Sequence, residues 1–325
     1  MALWGIDFDE DLERVRALRA RPPGAAGASD DRREVFGAAL EQFEQLLHAS
    51  RRVGAAAAPI TLFYSLSQAG RAIAAALAPN DCWRIRGHGL RVEATSPLGA
   101  TVILPKKTQQ DSFSVVSGAV GSAPLTSPTT LGAAWAAIPN AWVEDGLGAA
   151  DPPALLVERD QIPKVEWRGR LWGEIADDLP HDTEAATDIM VNRLASYPDA
   201  AKDLTVVQVI GQEATSRGEA AVSVGWADDG TGGRTLRRIA PPFVSDGGHF
   251  LRPGLGANAD PVSPLMAWWI VLLALSSVAR YEPSLWVRSL DRDRSPFAVP
   301  IEHGLNRWRE LAPAMILHAL THPDA

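Results

Sequence analysis

PLMAWWIVLLALSSVARYEPSLW, residues 264–286, is the longest apolar run in the sequence. The only polar side-chain atoms in its first half are the indole N–H groups of two adjacent tryptophans. A helix that is apolar on every side is expected to be buried on every side, and the run is shorter than the ~20 apolar residues that span a bilayer. Proline is favoured in the first turn of a helix and disfavoured in its interior. We therefore predict a buried central helix over about 264–281, bounded by Pro264 and Pro283.

The rest of the chain divides into helical and strand-like segments by the period of its apolar residues. A period near 3.6 predicts helices over residues 7–19, 30–48, 59–77, 128–137, 183–195 and 300–319, the last one continuous or broken near Pro313. A period near 2, with turn residues between the segments, predicts strands over residues 91–93, 101–104, 112–116, 204–211, 220–227 and 234–240. One or two further strands are expected within 154–175.

This order of elements predicts an α+β fold, because strands do not alternate regularly with long helices. We expect a helix-rich frame around the central helix, with antiparallel strands inserted into it. The predicted parts are an N-terminal helical part (1–90), a β-rich middle with short helices (91–250), and a C-terminal helical part (251–325) that packs on the N-terminal helices.

Composition narrows the classes of function. The net charge of −8 argues against a broad surface that coats nucleic acid, although a local basic groove stays open. The single cysteine, Cys82, excludes an intramolecular disulfide and a site with several cysteine ligands. The first residues, MALWGIDFDEDLERV, are acidic and lack the apolar segment of a secretory signal. We expect a cytoplasmic protein with no metal, no cofactor and no membrane contact.

The best candidate site combines one flank of the helix at 59–77 with the turn WRIRGHGL at 83–90. Arginine guanidinium groups match phosphate oxygens with two parallel hydrogen bonds, and glycines at 87 and 89 let a ligand approach the backbone. Arg280, at the end of the central helix, could meet the same flank. The candidate residues for phosphate or RNA-backbone binding are Arg71, Arg84, Arg86, His88 and Arg280.

Structural roles for these residues stay open alternatives. A carboxylate or carbonyl could hold Arg71 or His88 to fix the loop. Arg280 could serve only to complement the C-terminus of the central helix, where a cation is favourable. Cys82, with His88 six residues further on, could be a nucleophile, but a lone cysteine after a helix is more often packed.

Two blocks of sequence together resemble the YaaC-like family of bacterial proteins. The first is FYSLSQAGRAIAAAL (63–77) with GHGL (87–90), and the second is LMAWWIVLLALSSVARYEPSLW (265–286) with AVPIEHGL (298–305). Members of this family are large single chains with a helix-rich frame. The resemblance implies a fold relationship and no reaction.

The first block is also similar to helices of HEPN-type domains, which occur in bacterial toxin–antitoxin and phage-defence proteins. The similar positions are Tyr64, Ala69, Arg71 and the turn at 88–89. Some HEPN-type proteins cut RNA with an arginine followed, after four to six residues, by a histidine. Here three residues separate Arg84 from His88.

The residues form no complete catalytic constellation, since the sequence lacks a phosphate-binding GxxxxGK[ST] loop, HExxH and GxSxG. We therefore predict a non-catalytic binding protein that acts with a protein partner or a second copy of itself, in bacterial stress or phage defence. The alternative is a HEPN-like protein that binds or cleaves RNA with the region around Arg84 and His88.

Overall fold

A computed structural model describes residues 7–106, 110–139, 147, 151–159, 168–197, 200–202, 204–226, 242–243, 248–257 and 260–322. These residues form two compact units. The helical unit contains the described residues up to Pro152 and from Leu255 onward, and the sheet unit lies between Pro153 and Gly254. The predicted strand over 234–240 lies outside the described residues.

The elements confirm the α+β class. The helices are α1 (Phe8–Leu18), α2 (Gly24–Ala28), α3 (Asp30–Ser50), α4 (Ala58–Leu77), α5 (Ser112–Ala119), α6 (Leu131–Ala136), α7 (Thr183–Arg193), α8 (Pro264–Tyr281), α9 (Pro283–Ser289) and α10 (Ala298–Thr321). The strands are β1 (Leu90–Glu93), β2 (Val102–Pro105), β3 (Thr129–Thr130), β4 (Leu155–Arg159), β5 (Arg168–Trp172), β6 (Leu204–Ile210), β7 (Ala221–Trp226), β8 (Pro242–Phe243) and β9 (Gly248–Leu251).

The strands form two antiparallel sheets, ordered β1-β2-β3 and β6-β7-β5-β4-β9-β8. The smaller sheet belongs to the helical unit and the larger one to the sheet unit. The three-part division of the chain at residues 90 and 250 stays a prediction.

Helix α8 is the core of the helical unit, as its sequence predicts. Every residue from Leu265 to Ser276 is buried. The Ser263 hydroxyl caps its start, and Pro264 occupies its first turn. Among the described helices it is the one whose length and composition would suffice to cross a membrane, and 72% of it is buried inside the protein. Such burial is that of a core helix in a soluble domain.

Aromatic rings join α8 to its neighbours. Trp269 packs edge to face on Phe63 of α4, with 6.3 Å between the ring centroids. The ring centroids of Trp268 and Trp308 of α10 are 5.4 Å apart. Gly70 gives the Trp269 ring its space, because a Cβ there would lie 2.4 Å from a ring carbon. Full burial of each large apolar side chain stabilises the fold by roughly 1.5–3 kcal/mol.

Hydrogen bonds tie the C-terminal helices to the N-terminal ones. The Arg309 guanidinium on α10 donates to the carbonyl of Ser50, at the end of α3, over 2.8 Å. The indole N–H of Trp286 on α9 donates to the carbonyl of Ala56 over 2.9 Å. The N-terminal and C-terminal helices of the chain therefore belong to one frame.

The strand predicted over residues 112–116 is wrong, because these residues begin helix α5. The carboxylate of Asp111 caps this helix by accepting a hydrogen bond from the backbone N–H of Ser114 at 2.8 Å. Five residues are too few for the period to distinguish a strand from a helix. Helix α10, in turn, continues through Pro313 without a break.

In the sheet unit, helix α7 packs on the larger sheet. Ala186 and Met190 of α7 share a buried cluster with Val206, Val222 and other strand residues. The backbone N–H of Val206 donates to the Thr187 hydroxyl over 2.8 Å, which fixes the helix along strand β6.

Candidate functional site

The turn at residues 86–89 is held in place by backbone hydrogen bonds on both sides. One N–H group and two carbonyl groups of the turn form hydrogen bonds with the residues around the start of α5. A third carbonyl group accepts a hydrogen bond from the residue that follows β2. These bonds join Arg86 N to Gln110 O (2.7 Å), Ser112 N to Gly87 O (3.2 Å), Phe113 N to His88 O (3.3 Å) and Lys106 N to Gly89 O (2.7 Å). The turn therefore presents the side chain of His88 from a fixed backbone.

Both glycines of the turn adopt conformations that other residues rarely take. The φ angles are +74° at Gly87 and +79° at Gly89, in the left-handed region that glycine enters without steric cost. Gly89 has a second reason, since a Cβ there would lie 1.8 Å from a carboxylate oxygen of the buried Asp111. Around Gly87 the space is open.

The imidazole of His88 stands against α4. Its ring centroid is 5.4 Å from that of Phe63, in an edge-to-face arrangement. Partial desolvation of the ring lowers the pKa of His88, and the positive charges of Arg280 and Arg71 lower it further. The imidazole is therefore neutral at neutral pH.

Arg280 lies beside the same face of α4. Its Nε donates to the carbonyl of Ser276 over 3.1 Å, and its Nη1 donates to the hydroxyl of Tyr64 over 3.3 Å. The guanidinium carbon is 5.8 Å from the centroid of the Tyr64 ring and 5.0 Å from that of Tyr281. Two tyrosine rings thus flank a cation whose guanidinium has more N–H groups than these two hydrogen bonds use.

Arg71 is exposed and follows Tyr64 by two helical turns on α4, so the two lie on one face. No carboxylate in the described part of the chain lies within 4 Å of the guanidinium of Arg71 or Arg280. We call Tyr64, Arg71, His88 and Arg280 the basic cluster.

The charges of Arg71 and Arg280 both act on His88, so the structure places three of the five predicted residues near one another. The fourth, Arg84, forms an ion pair with Asp31 at 3.1 Å and covers the ring of Trp83 at 4.4 Å. The side chain of the fifth, Arg86, is exposed, and the backbone of this residue anchors the turn.

Sequence reasoning missed Phe63 as the ring that supports His88, and Asp111 as the group behind Gly89. The sequence could have indicated the role of Asp111 at the start of α5, because an aspartate three residues before Ser114 can cap a helix. Its contact with Gly89 joins segments 22 residues apart and has no local signature.

Other candidate sites offer less chemistry. A cleft of about 830 Å³ is lined mainly by small residues of α2, α4 and α5. Its one charged lining group, Arg32, donates to the carbonyls of Ala75, Ala78 and Asn80. Cys82 is exposed. Within the described residues no group of three or more His, Cys, Asp or Glu side chains could hold a metal ion.

The architecture defines an α+β protein built on a buried, tryptophan-bearing helix, with the basic cluster, which includes the exposed Arg71 and the half-buried Arg280, near the end of that helix. The family model for YaaC-like proteins matches residues 16–148 and 173–320. The chain therefore belongs to the YaaC-like family, and the matched residues include the whole basic cluster. No curated protein and no solved structure matches the chain.

Proposed function

We propose that this YaaC-like protein is a non-catalytic binding protein that takes a phosphorylated ligand at the basic cluster. The observation that carries the proposal is the convergence of Arg71, His88 and Arg280 from three separate elements, without a carboxylate from the described residues to neutralise them. Burial lowers the pKa of His88 most, and the charges of Arg280 and Arg71 lower it further. Two permanent cations near this histidine are favourable for a bound anion.

Phosphate is the anion that suits these groups best. A guanidinium can donate two parallel N–H groups to phosphate oxygens. The Tyr64 hydroxyl lies 3.3 Å from Nη1 of the Arg280 guanidinium. A phosphate dianion beside His88 would offset the two arginine charges and favour the imidazolium form, which adds another donor. The fixed turn at 86–89 means that little ordering is needed on binding.

The setting of this binding function comes from the sequence. We expect a cytoplasmic protein that works with a protein partner or a second copy of the chain in a bacterial stress or phage-defence system. The resemblance of the first sequence block to HEPN-type helices supports this setting.

Calorimetric titration with inorganic pyrophosphate tests the proposal. Loss of a hydrogen bond to a charged group costs about 1.5–3 kcal/mol, so Arg71→Gln and Arg280→Gln should each weaken binding roughly tenfold to a hundredfold. The matched control is Arg294→Gln, which removes the same charge from a side chain that is 86% exposed. Equal affinities for all four proteins, or no saturable binding by the wild type at millimolar pyrophosphate, would contradict the proposal.

RNA cleavage with Arg84 and His88 stays a prediction of the alternative function. It requires a free arginine beside His88, whereas the Arg84 guanidinium is bound to Asp31. The alternative predicts that His88→Ala abolishes cleavage of total cellular RNA without lowering the melting temperature. The binding function predicts that neither the wild type nor His88→Ala cleaves RNA.

A further inference from the structure

We propose that the phosphorylated ligand carries a planar aromatic ring and that this ring stacks on Tyr281, so that the ligand is a nucleotide. This inference rests on the proposed function and specifies its ligand. Its observations are the position and exposure of the two tyrosines beside Arg280.

Tyr281 is the most exposed large hydrophobic residue in the described part of the chain, with 70% of its surface accessible. A single exposed aromatic ring is ordinary in itself. Here the ring centroid lies 5.0 Å from the Arg280 guanidinium, which also lies 5.8 Å from the centroid of the Tyr64 ring. A cation that holds a phosphate therefore stands directly beside an aromatic face that is open to a second group of the same ligand.

Nucleotides combine the two groups that this arrangement would recognise. Their phosphate matches the arginines, and their base has a planar face that stacks on tyrosine whichever of the bases it is. A tyrosine ring loses little conformational freedom when it stacks. Sugar phosphates and inorganic phosphates would leave Tyr281 unused.

Charge limits the length of the ligand. The chain carries a net charge of −8, and Glu282, exposed, follows Tyr281 directly. A long polynucleotide would need a continuous basic track, whereas the basic cluster provides cations at one place. The geometry therefore points to a single nucleotide, either free or as the phosphorylated end of a strand.

The test compares three probes by calorimetry: AMP, ribose phosphate with its phosphate at the same position, and adenosine. Stacking of one base should make AMP bind about tenfold to a hundredfold more tightly than ribose phosphate. Tyr281→Ala should bring the ratio of these two affinities close to one, and Tyr281→Phe should preserve it. The control Val287→Ala, at a side chain of α9 that is 61% exposed, should also preserve it.

Each failure has a separate meaning. Equal binding of AMP and ribose phosphate by the wild type would overturn the nucleotide inference and leave the phosphate site intact. No binding of either phosphate would overturn both proposals, and so would adenosine that binds as tightly as AMP.

A trinucleotide with a terminal phosphate distinguishes the two sources of the nucleotide. Binding tighter than that of AMP supports the end of a strand, and weaker binding supports a free nucleotide. Equal binding of trinucleotides that end in a phosphate and in a hydroxyl would contradict recognition of the phosphate.

Discussion

The body of α8 and its last turn lie on one helix and differ in their surroundings. From Leu265 to Ser276 every side chain is buried. At the other end, Tyr281 is exposed and Arg280 is only half-buried, with no carboxylate from the described residues within 4 Å of its guanidinium. Packing in the body stabilises the fold, whereas under the proposed function the cation of the last turn, Arg280, binds a ligand. The two properties should therefore respond to different mutations.

Two arginines, Arg32 and Arg280, show the same difference between a buried and a more exposed environment. Arg32 is buried and donates to three carbonyls at the end of α4, so its N–H groups serve the fold. Arg280 makes two hydrogen bonds within the described residues, and under the proposed function its remaining N–H groups bind the ligand. A cation acts in binding when its surroundings leave it donors to spare.

The largest expected effect falls on the body of α8. Trp268→Ala removes a fully buried indole that contacts Trp135 and Trp308, and should lower the free energy of unfolding by about 3–5 kcal/mol. Urea unfolding followed by tryptophan fluorescence measures it. The exposed control Val287→Ala should change the same free energy by less than about 0.5 kcal/mol. If Trp268→Ala lowered the free energy of unfolding as little as the control does, the body of α8 would not be the part that stabilises the fold.

A smaller effect is expected from the turn that holds His88. Gly89→Ala adds a Cβ 1.8 Å from an Asp111 oxygen at a positive φ angle, whereas Gly87→Ala adds one in open space at a similar angle. Both variants carry backbone strain of about 1–3 kcal/mol, and only the first must also move Asp111.

Gly89→Ala should therefore destabilise the protein more than Gly87→Ala in thermal unfolding, and should weaken pyrophosphate binding more. Equal losses in the two variants would show that the contact with Asp111 does not position the turn.

The smallest effect concerns pH. Because the pKa of His88 is lowered in the folded protein, the unfolded chain binds a proton first as the pH falls below the ordinary histidine value of about 6.5. The stability contributed by the neutral imidazole is present above that value and is lost as the pH falls through the lower, folded pKa. His88→Gln should flatten the dependence of stability on pH in this window, as measured by urea unfolding at a series of pH values. An unchanged slope would mean that His88 does not contribute to it.

The body of α8 could be predicted because one uninterrupted run determines it, and caps and turn residues located most other helices and strands. The beginning of α5 could not, because its five residues fit either period and the Asp111 cap decides between them. In the cluster, proximity in sequence favoured Arg84 as the partner of His88, but Asp31 engages that side chain. Arg280 lies near enough to His88 to lower its pKa because α4 and α8 pack together around Phe63 and Trp269. That proximity is a tertiary relation between distant segments.

The pKa of His88, measured by the NMR titration of its imidazole, tests the central claim most directly. The basic cluster predicts a pKa below about 6.5 in the wild type, an increase in both Arg71→Gln and Arg280→Gln, and an increase when pyrophosphate is added. A pKa that none of these three changes moves would contradict the convergence of the cations at one site and the binding of phosphate there.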